Sequence, residues 1–147
     1  MTVPHANPLH ATSVLIRGRV LLLSGQSGSG KSDLALRLID RGALLISDDY
    51  TGLEARAGIL YASAPPRIAG RIEVRGIGLV DIGCGGEGPV ALMLDLDTVP
   101  ARMTDETLPT ERLCGIPVPV LAFAALEASA PIKAEQALRM FGLETRP

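Results

Sequence analysis

The chain has 147 residues, which fits one domain with a single core. A composition that is 47% hydrophobic and 20% charged excludes a disordered chain, and a net charge of −2 gives no field for general nucleic-acid attraction. No apolar run approaches the roughly 20 residues that span a bilayer, and residues 1–13 lack the basic and apolar regions of a signal peptide, so a cytoplasmic protein without membrane contact is expected.

Residues 1–9 are expected to be flexible, as chain termini often are. Residues 13–17 and 19–23 are apolar runs flanking Gly18, which predicts two strands joined by a tight turn. The second runs into a glycine-rich loop. From Lys31 onward, Leu34, Ala35, Leu38 and Ile39 recur at helical spacing, and Gly42 supplies a left-handed stop. Residues 43–46 are continuously apolar, as in a strand buried on both faces, and Asp48 and Asp49 follow directly. Residues 52–62 predict a hairpin around Ala57-Gly58. After the break at Pro65-Pro66, residues 71–75 alternate as a strand, and residues 83–88 read as a loop.

Residues 90–94 form a further apolar strand ending at Asp95 and Asp97. Residues 116–126 hold Pro117 and Pro119, so a strand there lies at an edge or starts after Pro119. Ser129 can cap a last helix over 131–141, closed by Gly142. Only 3% of the residues are aromatic, so the core must be aliphatic. Cys84 and Cys114 fit neither a zinc spacing nor a disulfide framework and read as free thiols. One mixed α/β domain over residues 1–147 is expected.

Gly25-Gln26-Ser27-Gly28-Ser29-Gly30-Lys31-Ser32 matches G-x-x-x-x-G-K-[ST] at every position, after a predicted strand and before a predicted helix. Glycines let the backbone wrap a phosphate with successive N–H groups pointing inward, and the helix adds its free N–H groups and positive dipole end. Lys31 can reach the β- and γ-phosphates, and the Ser32 hydroxyl can coordinate Mg2+. A nucleoside triphosphate or similar polyphosphate is the expected ligand. Two candidates compete for the supporting acid. Asp95 ends a strand where a conventional Mg2+-binding Asp could lie. Asp48 and Asp49 end the strand after the loop's helix, and a right-handed crossover would bring that end beside the loop. Paired carboxylates there can divide the labour, one holding metal and one taking a hydroxyl proton.

The stretch GQSGSGKSDLALRLIDRGALLISDDYTGL resembles the catalytic domain of the HPr kinase/phosphorylase family. Residues 72–82, IEVRGIGLVDI, are similar to that family's I-E-[IV]-R-G-[IL]-G signature, and His10 stands where the family has a histidine before its first hairpin. The resemblance implies a P-loop domain of the phosphoenolpyruvate carboxykinase-like type, with a mixed sheet and few helices. It implies a serine protein kinase using ATP and Mg2+ on HPr, the small phosphocarrier of the sugar phosphotransferase system, or on its nitrogen-branch relative. Carried over, Lys31 and Ser32 take phosphate and metal, one carboxylate of Asp48-Asp49, usually the first, is the base supported by His10, the other (Asp49 in that order) and Glu73 join the metal shell, and Arg75 sits near the transferred group. Family members are hexamers, so a homo-oligomer is implied.

Two departures accompany the likeness. Full-length members carry an N-terminal domain, and this sequence begins where the catalytic domain should, as in a short proteobacterial form. The family's arginine-bearing P-G-R-N segment has no counterpart, since residues 116–124 read IPVPVLAFA. Phosphorylase activity is therefore not expected to be strong. Two alternatives stand beside the protein kinase: a small-molecule P-loop kinase, which the strand-rich second half disfavours, and an ATP-binding sensor without phosphotransfer. A GTPase would need an N-K-x-D motif, and Lys133 sits in P-I-K-A.

Overall fold

The structure, a computed structural model, describes residues 5–145. In chain order the elements are β1 (Ala11–Ile16), β2 (Arg19–Ser24), α1 (Lys31–Asp40), β3 (Leu44–Ser47), β4 (Gly52–Arg56) and β5 (Ile59–Ser63). A single 3-10 turn (Pro66–Ile68) precedes β6 (Arg71–Val74) and β7 (Gly78–Asp81); then come β8 (Gly88–Asp95), β9 (Thr110–Leu113), β10 (Ile116–Ala122) and α2 (Ala130–Phe141). The main sheet runs β3-β1-β2-β8-β10-β9, with β5 on the start of β8 and β4 on β5; β6 and β7 form a separate ribbon. This is the mixed α/β architecture with few helices that the sequence predicts.

Three hairpins turn on the same dipeptide pattern. Arg17-Gly18, Ala57-Gly58 and Cys114-Gly115 all have positive φ at both positions, +50° and +82° in the first. That geometry matches the right-handed twist of the flanking strands, and the glycine supplies the second position without a Cβ clash.

The continuous apolar run of β2 is explained by burial on both faces. Leu21 and Leu23 pack with Leu34, Ala35 and Leu38 of α1 and Ala134 and Leu138 of α2. Val20 and Leu22 face the other way, among Ile46, Leu53, Leu60, Met93 and Val118. Period-two alternation thus divides one strand between two cores. In β8 the register against β2 slips after Val20, so Ala91 and Leu92 both fall on the helix side.

Several expectations need correction. The crossover from β2 through α1 reaches a strand of the same sheet running in the same direction, with its C-terminal end beside the loop as expected, though β3 is not β2's neighbour. β1 lies between them, antiparallel to both. β3 is therefore an edge strand, and Leu44 is 55% exposed rather than buried. Pro117 and Pro119 both lie inside β10, an interior strand. Residues 116–119 pair with β9 alone, and β8 engages only from Val120 onward. Prolines at alternate positions leave their missing N–H on the side where no partner waits. Gly88 belongs to β8 rather than to the preceding loop, and β7 and β9 are strands that the sequence did not announce.

At α2, Ser129 occupies the N-cap position but makes no side-chain cap. Gly142 is extended, and its role is close approach: a Cβ there would meet the Leu138 carbonyl oxygen at 2.4 Å and Arg19 Nη1 at 2.8 Å. Of the segment expected to be flexible, residues 1–4 lie outside the described residues. Asn7, by contrast, donates to the Leu53 carbonyl and accepts from the Leu53 N–H, and Leu9 pairs with Thr51. No helix among the described residues is long and apolar enough to cross a membrane.

Candidate active site at the phosphate loop

The loop between β2 and α1 is held open by its neighbours. Asp97, just past β8, accepts from the Gln26 N–H at 3.0 and 3.1 Å. A Cβ on Gly25 would sit 2.5 Å from Ser29 Oγ, so only glycine fits that corner. Gly30 has φ +100°, a conformation that other residues rarely adopt, and α1 begins without any side-chain cap. Its first N–H groups are thus left for another acceptor. Ser27 and Gly28 form the exposed tip of the loop.

Lys31 is 5% exposed, and its ammonium donates to the carbonyls of Gly25 (2.6 Å) and Gln26 (3.2 Å). A buried cation satisfied by its own loop's carbonyls is poised to exchange them for phosphate oxygens. Ser29 Oγ is buried without a hydrogen-bond partner, so the cradle also contains an orphaned polar atom. These features fit a polyphosphate.

The acidic half of the site comes from β3, brought across by β1. Asp48, 9% exposed, accepts from Ser32 Oγ at 2.6 Å and Thr12 Oγ1 at 3.1 Å on one oxygen, and from the Glu73 N–H at 2.9 Å on the other. Ser32 and Asp48 are therefore a ready hydroxyl–carboxylate pair for Mg2+, which typically binds one or two carboxylates plus substrate phosphates. Asp49 is different. Its side chain is 51% exposed, its φ is +67°, and His10 Nε2 lies 2.9 Å from Oδ1. An ionised carboxylate can only accept, so His10 Nε2 carries the proton in that contact. Tyr50 packs on the His10 ring, with centroids 5.2 Å apart.

Of the two acids, the structure sets His10 on Asp49 and Ser32 on Asp48. Glu73 reaches the site through its backbone N–H, with its side chain exposed; Arg75 follows β6 on the surface. Asp95 ends β8 opposite Ser24, and no hydrogen bond among the described residues joins it to Ser32. Its oxygens accept from the Asp97 N–H and Thr98 Oγ1, closing its own turn on the far side of β2.

Three contributors escaped the sequence reading. Thr12, fully buried, donates to Asp48 and accepts from the Asp49 N–H at 3.0 Å, so one hydroxyl spaces the two acids. Its signal was its position two residues beyond His10. Asp97 left no signal beyond an acid after a strand. Arg37 ties α1 to residues 125–127 through the carbonyls of Ala125 and Glu127, which seats Leu126 and Ala125 against Gly30.

A phosphate loop and a double acid on two strands, with a histidine-led strand between them, define a P-loop domain. The family model for the HPr serine kinase C-terminal domain matches residues 2–88, more than half of the chain, and the chain belongs to that family. Among curated relatives, HPr kinase/phosphorylase of Clostridium botulinum (strain Eklund 17B / Type B) is 45% identical over 74 residues, covering 50% of this chain and 24% of that protein. The Alkaliphilus metalliredigens HPr kinase/phosphorylase is 40% identical over 94 residues, covering 62% and 30%. The match thus spans about a quarter to a third of those relatives. The solved Hpr(Ser) kinase/phosphatase structure from Coxiella burnetii superposes with a TM-score of 0.77 at 29% identity, over 88% of this chain and 92% of that one.

Proposed function

We propose that this chain is an ATP-dependent serine protein kinase that phosphorylates an HPr-like phosphocarrier of a phosphotransferase system. The observation that carries the reading is the 2.6 Å contact between Ser32 and Asp48, which joins the phosphate loop to the double acid. Family membership and the Coxiella likeness support the same class of reaction.

In this reading the loop's uncommitted N–H groups, which exclude those of Gln26 and Ser29, and the Lys31 ammonium hold the phosphates of ATP. Ser32 and Asp48 hold Mg2+, which supplies charge neutralisation for the phosphates when bound. Asp48 suits that task because its lone pairs are already directed by three donors. Asp49 is the base. It is open to an incoming side chain, and the serine hydroxyl's proton would pass to its uncommitted oxygen while His10 holds the other. The pair therefore exchanges the roles that the resemblance gave it. Glu73 and Arg75 flank the entrance on the β6–β7 ribbon, where Arg75 can meet the transferred group's charge.

Phosphate attack on a phosphoserine would bring two anions together, and their repulsion at 4 Å is about 4 kcal/mol per unit-charge pair at an effective dielectric of 20. Residues 116–124 offer no cation, and Arg112 donates to the Gly115 carbonyl. Weak phosphorylase activity is part of the proposal, as is a homo-oligomer. The test is incubation with γ-labelled ATP, Mg2+ and HPr-like phosphocarriers, with mapping of the labelled residue. Stabilisation by ATP without any labelled serine would turn the reading into that of a nucleotide sensor.

A further inference from the structure

A basic cavity lies away from the phosphate loop. It has a volume of about 230 Å³ and is lined by Ile16, Arg17, Arg19, Arg41, Glu135, Leu138 and Arg139. Four of the chain's arginines thus face one hollow, in a protein whose net charge is −2. The hollow forms where the β1–β2 turn, the end of α1 and the last turns of α2 meet. It stands at the opposite end of α1 from Lys31, a ten-residue helix about 15 Å long. An occupant there is a second ligand, distinct from anything bound at the loop.

The four guanidinium groups are not equally committed. Arg19 donates to the Leu138 and Leu143 carbonyls, so its charge sits against the carbonyl end of α2. Arg41 is paired with Glu135, its Nη2 2.7 Å from Oε1. None of the ion pairs among the described residues involves Arg17 or Arg139. Both are exposed, and Arg17 is held at the rim by the turn, where its φ is +50°. One carboxylate therefore faces four cations, and among the described residues only Arg41 has an anionic partner.

We propose that this cavity binds a phosphate dianion, either inorganic phosphate or the phosphate of a small ester. Planar guanidinium forks match phosphate oxygens two at a time, which a lysine ammonium does not. The volume lies below the roughly 300–1,000 Å³ of pockets that enclose a drug-sized ligand, so the occupant is a phosphate group with at most a short carbon stub. The cavity borders helix C-termini, which offer carbonyls rather than N–H groups, so the arginines alone supply the attraction. Binding is consequently salt-sensitive. An anion spanning Arg17 and Arg139 also fastens the β1–β2 turn to α2, which raises resistance to unfolding.

The experiment uses the full chain carrying Lys31→Ala, so that the phosphate loop does not contribute. Inorganic phosphate and glycerol 2-phosphate are titrated separately, against sodium chloride at matched ionic strength and against acetate, with calorimetry and backbone amide NMR as readouts. The expected result is saturable binding of one or both phosphates, with shifts centred on residues 16–19, 41 and 135–143. Which arm binds more tightly identifies the source. Adding Arg17→Gln and Arg139→Gln, both exposed positions, should weaken binding at least tenfold while the thermal transition without phosphate is retained. Arg17→Lys with Arg139→Lys should recover part of the affinity. Shifts no larger than those from chloride, or equal affinity in the Gln variant, overturn the proposal.

Discussion

Replacing Thr12 with valine removes one hydroxyl and almost no volume, at a side chain that is fully buried. Two hydrogen bonds go with it: the donation to Asp48 at 3.1 Å and the acceptance from the Asp49 N–H at 3.0 Å. A hydrogen bond to a charged group contributes roughly 1.5–3 kcal/mol, and an orphaned buried donor costs about 1–3 kcal/mol. The full sum is not expected. Asp48 keeps Ser32 and the Glu73 N–H, and the Asp49 backbone is only partly buried. A net loss of about 2–3 kcal/mol follows, which at roughly 2–4 °C per kcal/mol for a chain of this size lowers Tm by about 5–10 °C. Urea unfolding measures the loss directly, and Thr12→Ser should restore most of it. Phosphotransfer should fall more than stability requires, because Asp49 sits at φ +67° and loses one of the contacts that hold it there. A Thr12→Val protein with unchanged urea midpoint and unchanged transfer rate would refute the claim that this hydroxyl spaces the acids.

Other substitutions separate the remaining parts. Lys31→Ala should abolish tight ATP binding in calorimetry with Mg2+ present, since the buried ammonium is the loop's cation; equal affinity would falsify the phosphate-loop assignment. Asp49→Asn should leave ATP affinity near wild type and cut transfer roughly 100-fold or more, the scale of a lost general base, and asparagine tolerates the left-handed backbone. Asp48→Asn should instead weaken Mg2+-dependent nucleotide binding, and the opposite pattern would return the roles to those implied by the resemblance. Gly88→Ala should destabilise by about 1–3 kcal/mol in urea, because a Cβ there would lie 2.7 Å from Leu15 Cδ1 and 2.9 Å from Val20 Cγ2.

What the sequence makes legible here is local. The glycine loop, the helix at Leu34 and Leu38, the turn residues Gly18 and Gly58 and the double acid are written in adjacent residues, where spacing carries the physics. Partners far apart are not. That β1 would insert between β2 and β3 depends on pairing residues 13–15 with 44–47, and no short pattern encodes that choice. The misread prolines of β10 have a related cause. Pro117 and Pro119 rule out a strand bonded on both sides at every residue, and β10 escapes by changing neighbours midway. His10 was found, but which acid it meets was left open, because Asp48 and Asp49 are adjacent in the chain and are distinguished only by partners from other elements: Ser32 and the Glu73 N–H on Asp48, His10 on Asp49.

The position of β8 has a consequence for how the protein must be made. Residues 10–75 carry His10, the loop, both acids, Glu73 and Arg75, yet β2 finds its second partner only in residues 90–95. A nascent chain that has emerged as far as Gly88 holds the phosphate loop and both acids and lacks the strand on which β2, β5 and β10 all pair. Until β8 arrives, Leu21 and Leu23 lack Leu92 and Leu94 beside them, and the open edge of β2 is available to any other extended chain. The segment that holds the phosphate loop and both acids thus cannot complete its sheet during synthesis until the aliphatic strand that follows it has emerged.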